Sequence, residues 1–189
     1  MEEYELRFRL DKDEIKRIEK KLNRLGFKKG RGYEMSDLIF EDRSWRPENG
    51  LEGYYVVRLR LRRGLIPLLE LKERRDESHW METSLKIKDP NAVLRVLLKG
   101  FAPSKIISKI RNEFTKKDIY VTLDAVKHLG DFIEIEGTEK AVATVVENLG
   151  LAGKERQRDY GYMMFQRMKS GEVSFTPEDM GREVAGFYT

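Results

Sequence analysis

The stretch Glu3-Tyr4-Glu5-Leu6-Arg7-Phe8-Arg9-Leu10 decides the fold, because charged and apolar residues alternate at every position of it. Neighbouring side chains of a β-strand point to opposite faces of its sheet, so this pattern predicts a strand with one charged and one apolar face. The charged face mixes glutamates with arginines. Exposure to water would explain a charged face on one strand. The same pattern returns in later strands, so one explanation is needed for all of these charged faces.

Seven further segments have the residue pattern of strands, and turn residues or helical patterns separate them. The predicted strands cover residues 33–40, 54–62, 68–74, 79–87, 105–114, 119–125 and 131–136. Helices are predicted after Asp11, after Asp89-Pro90, over Thr138–Leu149 and over Tyr160–Met168. The chain is therefore predicted to be an α+β domain with eight strands, mostly antiparallel, and with helices outside the sheet.

Length and composition limit the class of protein. The 189 residues suit one domain over residues 1–169, followed by a C-terminal tail or lid over residues 170–189. The absence of cysteine excludes disulfides and thiolate chemistry, and two histidines are too few for a His-rich zinc site. No apolar run approaches the ~20 residues that span a bilayer, and the N-terminus lacks a signal-peptide core. A cytoplasmic location is expected, and the net charge of +4 permits an anionic partner.

The charged strand faces have one explanation if they line an enclosed interior. In a closed barrel of about eight strands, one face points inward. Charges placed there must be paired, hydrated or bound to a ligand, because unpaired buried charge is very costly. Arginine and lysine hold the oxygens of a triphosphate, whereas neighbouring carboxylates repel it unless Mg²⁺ or Mn²⁺ lies between them. Acids and bases on one face therefore favour a pocket for a divalent metal and a polyphosphate.

Short charged motifs follow one another in a fixed order along the predicted strands. They are Glu3-Tyr4-Glu5-Leu6-Arg7, Asp37, Arg58-Leu59-Arg60, Lys72, Glu82, Lys109-Ile110-Arg111, the segment 123–136 and Arg158-Asp159-Tyr160. In order and spacing they resemble the CYTH superfamily, which is named for class IV adenylate cyclases and thiamine triphosphatases and is also called the triphosphate tunnel metalloenzymes. The first motif is similar to the family's E-x-E-x-K element. The resemblance implies an eight-stranded antiparallel β-barrel, or tunnel, with helices packed outside.

The resemblance also implies a role for each matching charged residue. The acidic side chains implied to hold Mg²⁺ or Mn²⁺ are Glu3, Glu5, Glu82, Asp124, Glu134 and Glu136. The basic side chains implied to grip phosphates are Arg58, Arg60, Lys72, Lys109, Arg111 and Arg158. Arg7 and Lys72 are the candidates for catalytic roles. Arg7 departs from the family, which usually has lysine there, and a guanidinium can stabilise phosphate charge but cannot act as a base.

Three functions follow from this interpretation. The first is a metal-dependent enzyme that resembles class IV adenylate cyclase and converts ATP to cyclic AMP and pyrophosphate. The second is a triphosphatase acting on thiamine triphosphate, a nucleoside triphosphate or inorganic triphosphate. The third, motivated by Arg7, is a noncatalytic protein that binds polyphosphate or a phosphorylated ligand. The interspersed charge disfavours a nucleic-acid partner, no membrane partner is expected, and the sequence leaves a homodimer open.

Overall fold

The computed structural model describes residues 2–44, 55–74 and 79–188, except for the side chains of Glu2, Glu3, Arg74, His79 and Trp80. The strands are β1 (Glu2–Leu10), β2 (Lys28–Lys29), β3 (Tyr33–Glu41), β4 (Tyr55–Arg62), β5 (Leu68–Arg74), β6 (His79–Lys86), β7 (Ala102–Lys116), β8 (Ile119–Val126) and β9 (Gly130–Gly137). The helices are α1 (Lys12–Arg24), α2 (Pro90–Gly100), α3 (Glu139–Leu149), α4 (Tyr160–Lys169) and α5 (Pro177–Tyr188). Within these ranges, no helix is both long enough and apolar enough to cross a membrane.

The predicted α+β class is confirmed. Each of the eight predicted strands is present, and the two-residue strand β2 is an addition to them. The pairings β1–β9, β2–β7, β3–β4, β4–β5, β5–β6, β7–β8 and β8–β9 are all antiparallel. The chain divides into two compact units. Unit 1 contains Met1–Glu2, Glu34–Ser108 and Met164–Thr189, and unit 2 contains Glu3–Tyr33 and Lys109–Met163.

Helix ends follow from local residues that satisfy backbone groups. The Glu14 carboxylate accepts a hydrogen bond from the Asp11 backbone N–H at 2.9 Å, which fixes the start of α1. The Asp89 carboxylate accepts from the Ala92 backbone N–H at 2.9 Å and starts α2 in the same way. Gly150 ends α3 with a left-handed φ of 76°, a conformation that glycine adopts without steric cost. These ends set where each helix meets its sheet.

Unit 1 contains the antiparallel meander β3-β4-β5-β6, whose two faces differ in chemistry. Helices α2 and α5 pack against one face, and the core that they share with the strands includes Leu38, Phe40, Leu59, Leu61, Leu94, Leu97, Met180 and Val184. Because side chains alternate along a strand, Arg58 and Arg60 point to the opposite face. Helix α5 lies within the segment 170–189, and its Met180 and Val184 are among the most buried side chains of this core.

Unit 2 has the strand order β2-β7-β8-β9-β1, and its faces differ in the same way. Helices α1 and α3 supply one side of its core, which includes Phe8, Leu10, Ile18, Leu22, Phe114, Val121, Leu123, Ile133, Ile135, Val142 and Val146. The residues between these apolar positions of the strands are mostly charged. In both units, two helices therefore cover the apolar face of an antiparallel sheet, and the charged face lies on the other side.

Candidate functional site

The charged face of unit 2 is built from four adjacent strands in the order β7-β8-β9-β1. Their register aligns side chains in rows across the sheet. The middle row consists of Glu113, Thr122, Glu134 and Arg7. On one side of it lies the arginine row of Arg111, Asp124, Phe132 and Arg9. On the other side lies the glutamate row of Thr115, Tyr120, Glu136 and Glu5.

Arg7 is buried in the middle row and joins it to the glutamate row. Its Nε donates to Glu134 Oε1 at 2.8 Å and its Nη1 donates to the Arg158 backbone carbonyl at 2.9 Å. Its Nη2 donates to the carboxylates of Glu5 and Glu134. The guanidinium carbon lies 4.2 Å from the centroid of the Tyr160 ring. Two carboxylates, a carbonyl and an aromatic ring therefore hold this side chain in place.

Asp124, in the arginine row, contacts two cationic side chains of β7, Lys109 and Arg111. Its side chain is 0% exposed. Lys109 Nζ donates to Asp124 Oδ2 at 2.8 Å, and Arg111 donates through Nε to Oδ1 at 2.8 Å and through Nη2 to Oδ2 at 2.5 Å. The Tyr160 hydroxyl donates to Oδ2 at 3.2 Å. Arg111 Nη2 also donates to Glu134 Oε2 at 2.5 Å, which links Asp124 to the middle row.

The electrostatics of this face favour the charged forms of Arg7 and Glu134. Burial acts to lower the pKa of Arg7, but the carboxylates of Glu5 and Glu134 outweigh it and raise the pKa well above its ordinary value. Burial likewise acts to raise the pKa of Glu134, but Arg7 and the other nearby cations bring it well below its ordinary value. Burial, reinforced by the Glu134 and Asp124 carboxylates, raises the pKa of Tyr160 well above its ordinary value. Tyr160 is therefore a neutral hydrogen-bond donor.

The glutamate row has a donor set that fits a divalent cation. Glu5 lies directly opposite Glu136 across β1 and β9, and like charges in such a pair destabilise a sheet unless a cation lies between them. Carboxylate oxygens are ligands that Mg²⁺ and Mn²⁺ accept. In the described part of the chain, no three His, Cys, Asp or Glu side chains are already grouped as a metal site. Since Arg7 contacts both Glu5 and Glu134, a metal ion must share or replace those contacts.

A second charged cluster occupies the face of the unit 1 meander that lies opposite helices α2 and α5. Arg60 grips Asp37 with two hydrogen bonds, from Nε to Oδ1 at 2.7 Å and from Nη2 to Oδ2 at 3.0 Å. Arg58 Nε donates to Glu70 Oε2 at 2.5 Å, and Arg60 Nη1 donates to Glu70 Oε1 at 3.3 Å. The Asp37 and Glu70 side chains are 5% and 1% exposed. Two buried carboxylates therefore fix the directions of two guanidinium groups.

Glu82 connects this cluster to Lys72. Its Oε2 accepts from Arg58 Nη2 at 3.0 Å and lies 3.1 Å from Lys72 Nζ. Burial acts to raise the pKa of Glu82, but the charges of Arg58 and Lys72 outweigh it and lower the pKa to about 2. Glu82 is therefore a carboxylate at neutral pH, and one cation on each side neutralises it.

The predicted site residues fall into these two clusters. Unit 2 brings together Glu5, Arg7, Lys109, Arg111, Asp124, Glu134 and Glu136. Unit 1 brings together Arg58, Arg60, Lys72 and Glu82. Arg158 lies at the edge of the unit 2 cluster, since its backbone carbonyl contacts Arg7 while its exposed guanidinium lies 4.6 Å from the Tyr162 ring. The side chain of Glu3 lies outside the described part of the chain.

Besides Asp37, two buried residues of these clusters carry no role in the sequence interpretation. Tyr160 lies against Arg7 and also within 4.6 Å of Lys109 Nζ, measured to its ring centroid. Glu70 accepts from both arginines of β4. A signal for each was present: Tyr160 closes the motif Arg158-Asp159-Tyr160, and Glu70 shares a strand face with Lys72. The alternation of charged and apolar residues predicts which face of a strand a side chain lies on. Which residue it contacts on the neighbouring strand depends on the register between the two strands.

Comparison with known proteins gives one family and several similar folds. A family model for the CYTH domain matches residues 1–177. No curated protein sequence matches the chain. The PH1012 protein of Pyrococcus horikoshii OT3 is 22% identical with a TM-score of 0.72, and the match covers 85% of this chain and 98% of that one.

Two further solved structures have descriptions that name an activity. A candidate adenylate cyclase from Vibrio parahaemolyticus is 20% identical, with a TM-score of 0.65 over 86% of this chain and 97% of that one. A candidate adenylyl cyclase from Hippeastrum, described as having a dominant triphosphatase activity, is 15% identical, with a TM-score of 0.60 over 92% of this chain and 97% of that one. At these identities, the likeness shows a shared fold.

Proposed function

The chain belongs to the CYTH domain family, and from this premise we propose that it is a divalent-metal-dependent enzyme acting on a triphosphate compound. The observation that carries the proposal is the charged face of unit 2. There, Asp124 holds Lys109 and Arg111, and the glutamate row with Glu5 and Glu136 lies two residues further along each strand than the middle row. A polyphosphate bound with its metal ion needs both chemistries on one surface, because cations neutralise its oxygens and carboxylates retain the metal.

The proposed phosphate-binding side chains are Arg58, Arg60, Lys72, Lys109, Arg111 and Arg158. Four of them are held by buried carboxylates before any ligand binds, Lys109 and Arg111 by Asp124 and the two arginines of β4 by Asp37 and Glu70. Donors fixed in advance need little reorganisation when charge develops on a phosphate, and this is the main way in which proteins stabilise such transition states. Lys72 is the proposed catalytic cation of unit 1.

The proposed metal ligands are Glu5, Glu134 and Glu136, with Glu3 and Glu82 as further candidates. When bound, Mg²⁺ or Mn²⁺ would polarise a phosphoryl oxygen and stabilise the charge that develops on it. Asp124 was expected among these ligands, and like Glu134 it already accepts from cations at both oxygens. It differs from Glu134 in burial, because its side chain is 0% exposed and that of Glu134 is 11% exposed. We therefore assign Asp124 to positioning the phosphate-binding cations.

Two reactions are candidates for this site. The first is cyclisation of ATP to cyclic AMP and pyrophosphate, as in the class IV cyclases that the motifs resemble. The second is hydrolysis of a terminal phosphoryl group, and Arg7 favours it. Transfer of a phosphoryl group passes through a loose transition state that depends on positioned charge more than on a strong base. A permanently charged guanidinium meets that need and cannot accept a proton.

The deciding experiment is to incubate the purified chain with Mg²⁺ or Mn²⁺ and, separately, ATP, thiamine triphosphate and inorganic triphosphate. Cyclic AMP with pyrophosphate identifies the cyclase, and released phosphate identifies the triphosphatase. Glu136→Gln is expected to abolish metal-dependent turnover, while Glu147→Gln on an exposed position of α3 serves as the matched control. Tight binding of all three compounds without turnover would replace the enzyme by a noncatalytic polyphosphate binder, and the absence of both binding and turnover would refute the proposal.

A further inference from the structure

Tyr120 is an exposed aromatic residue in the middle of a charged face. Its side chain lies in the glutamate row of unit 2, between Glu136 on β9 and Thr115 on β7. It is 53% exposed, whereas its neighbour Val121 on β8 is buried on the opposite face. Within the part of the chain that the structure describes, its ring makes no aromatic or cation–π contact and its hydroxyl makes no hydrogen bond.

The position of Tyr120 relative to the cations is set by strand geometry. Tyr120 is two residues from Thr122, whose hydroxyl donates to Glu134 at 3.3 Å, and four residues from Asp124. At roughly 3.3 Å per residue, its row lies about 13 Å along the sheet from the row that contains Arg111. Along the charged face of unit 2, the row with Arg111 therefore comes first and the glutamate row comes last. The exposed ring of Tyr120 lies in that last row, beside the carboxylates.

We propose that Tyr120 stacks on a planar ring of the substrate, and that the substrate is a triphosphate ester carrying such a ring. This inference rests on the proposed function, since it takes the cations of unit 2 to hold the phosphates. The ring of a nucleoside triphosphate lies at the end of the molecule away from its terminal phosphate, so an aromatic platform belongs at a distance from the phosphate-binding cations. Aromatic side chains stack on bases of any sequence, because every base has a π-face.

The proposal separates organic triphosphates from inorganic triphosphate. Inorganic triphosphate uses the cations and the metal ion but has no ring for Tyr120 to contact. A nucleoside triphosphate, or another aromatic triphosphate ester, contacts the cations, the metal ion and Tyr120. Tyr120 therefore contributes to affinity for the second class alone, and its removal changes the preference between the classes without changing how phosphates are held.

The test measures binding of two probes by titration calorimetry in the presence of Mg²⁺, which gives a readout independent of turnover. The probes are a nonhydrolysable ATP analogue and inorganic triphosphate in a nonhydrolysable, methylene-bridged form. Tyr120→Ala is expected to raise the Kd of the ATP analogue by about tenfold or more, as is typical when a stacking platform is removed, and to leave the Kd of inorganic triphosphate unchanged. Tyr120→Phe keeps the ring and is expected to bind both probes like the parent chain.

Ile110→Ala is the matched control, because Ile110 is also 53% exposed and lies on the opposite face of the same β7–β8 pair. It is expected to change neither Kd. If Tyr120→Ala binds the ATP analogue as tightly as the parent chain while the parent binds both probes, the stacking role is refuted and the proposed function stands. If the parent chain binds neither probe, the proposed function is refuted, and the role of Tyr120 with it.

Discussion

Asp124→Asn tests whether one buried carboxylate organises the cations of unit 2. The substitution keeps the shape of the side chain but removes the charge that Lys109 and Arg111 face. The Asp124 side chain is 0% exposed and that of Lys109 is 4% exposed, so the loss takes a carboxylate at 2.8 Å from a buried ammonium group. Removing one partner of a buried ion pair costs about 3–5 kcal/mol. We expect the free energy of unfolding in urea at neutral pH to fall by that amount.

A control in the same hairpin isolates the effect of burial. Asp118 lies in the exposed turn between β7 and β8, and Asp118→Asn makes the same chemical change there with an expected effect within about 0.5 kcal/mol. Adding Lys109→Met to Asp124→Asn removes the ammonium group that faced Asp124 and is expected to restore part of the lost stability. If Asp124→Asn and Asp118→Asn unfold at the same urea concentration with equal slopes, Asp124 does not hold these cations and the reasoning fails.

Two further predictions concern single side chains of the two clusters. The pKa of Glu82 is lowered to about 2, so its contribution to stability is complete above the unfolded value near 4.5 and is lost as the pH falls towards 2. Unfolding free energies measured over that range should therefore fall more steeply for the parent chain than for Glu82→Gln, and parallel curves would contradict the assignment. Arg7→Lys is expected to lower the free energy of unfolding by about 1–3 kcal/mol, because an ammonium group cannot make the guanidinium contacts to Glu5, Glu134 and the Arg158 carbonyl together. Urea unfolding measures this loss, and an unchanged midpoint would show that the contacts of Arg7 contribute nothing to stability.

The strands could be predicted from the sequence because alternation is a local signal. Every predicted strand is present, and the charged residues assigned to one face do lie on a common face within each unit. Helix α5 was not predicted. Met180, Val184 and Phe187 recur at helical spacing, but the surrounding segment is polar enough to suit an exposed tail. What stabilises the helix is packing against the core of unit 1, which depends on residues far away in the sequence.

The pairing within each cluster could not be predicted in the same way. Alternation assigns Arg58, Glu70 and Lys72 to one face but does not say which carboxylate meets which cation. That depends on register, and a strand shifted by one residue would send each side chain to the other face. The contact between Tyr160 and Arg7 could not be predicted either. Tyr160 begins helix α4 after an irregular segment, and the two residues are more than 150 positions apart in the sequence.

The contacts of Arg7 bear on what kind of catalysis this site can support. If the lysine usual at this position acts as a base, another group must take that role in this chain. Besides Glu5, two ionisable side chains contact Arg7, and both are unsuited to it. Glu134 has a pKa held well below its ordinary value by Arg7 and its neighbours, which makes it a weak base. Tyr160 is a neutral phenol whose hydroxyl donates a hydrogen bond to Asp124. Under the proposed function, this face would therefore act through positioned charge, because neither Arg7 nor these two neighbours can take the proton that a lysine could have taken.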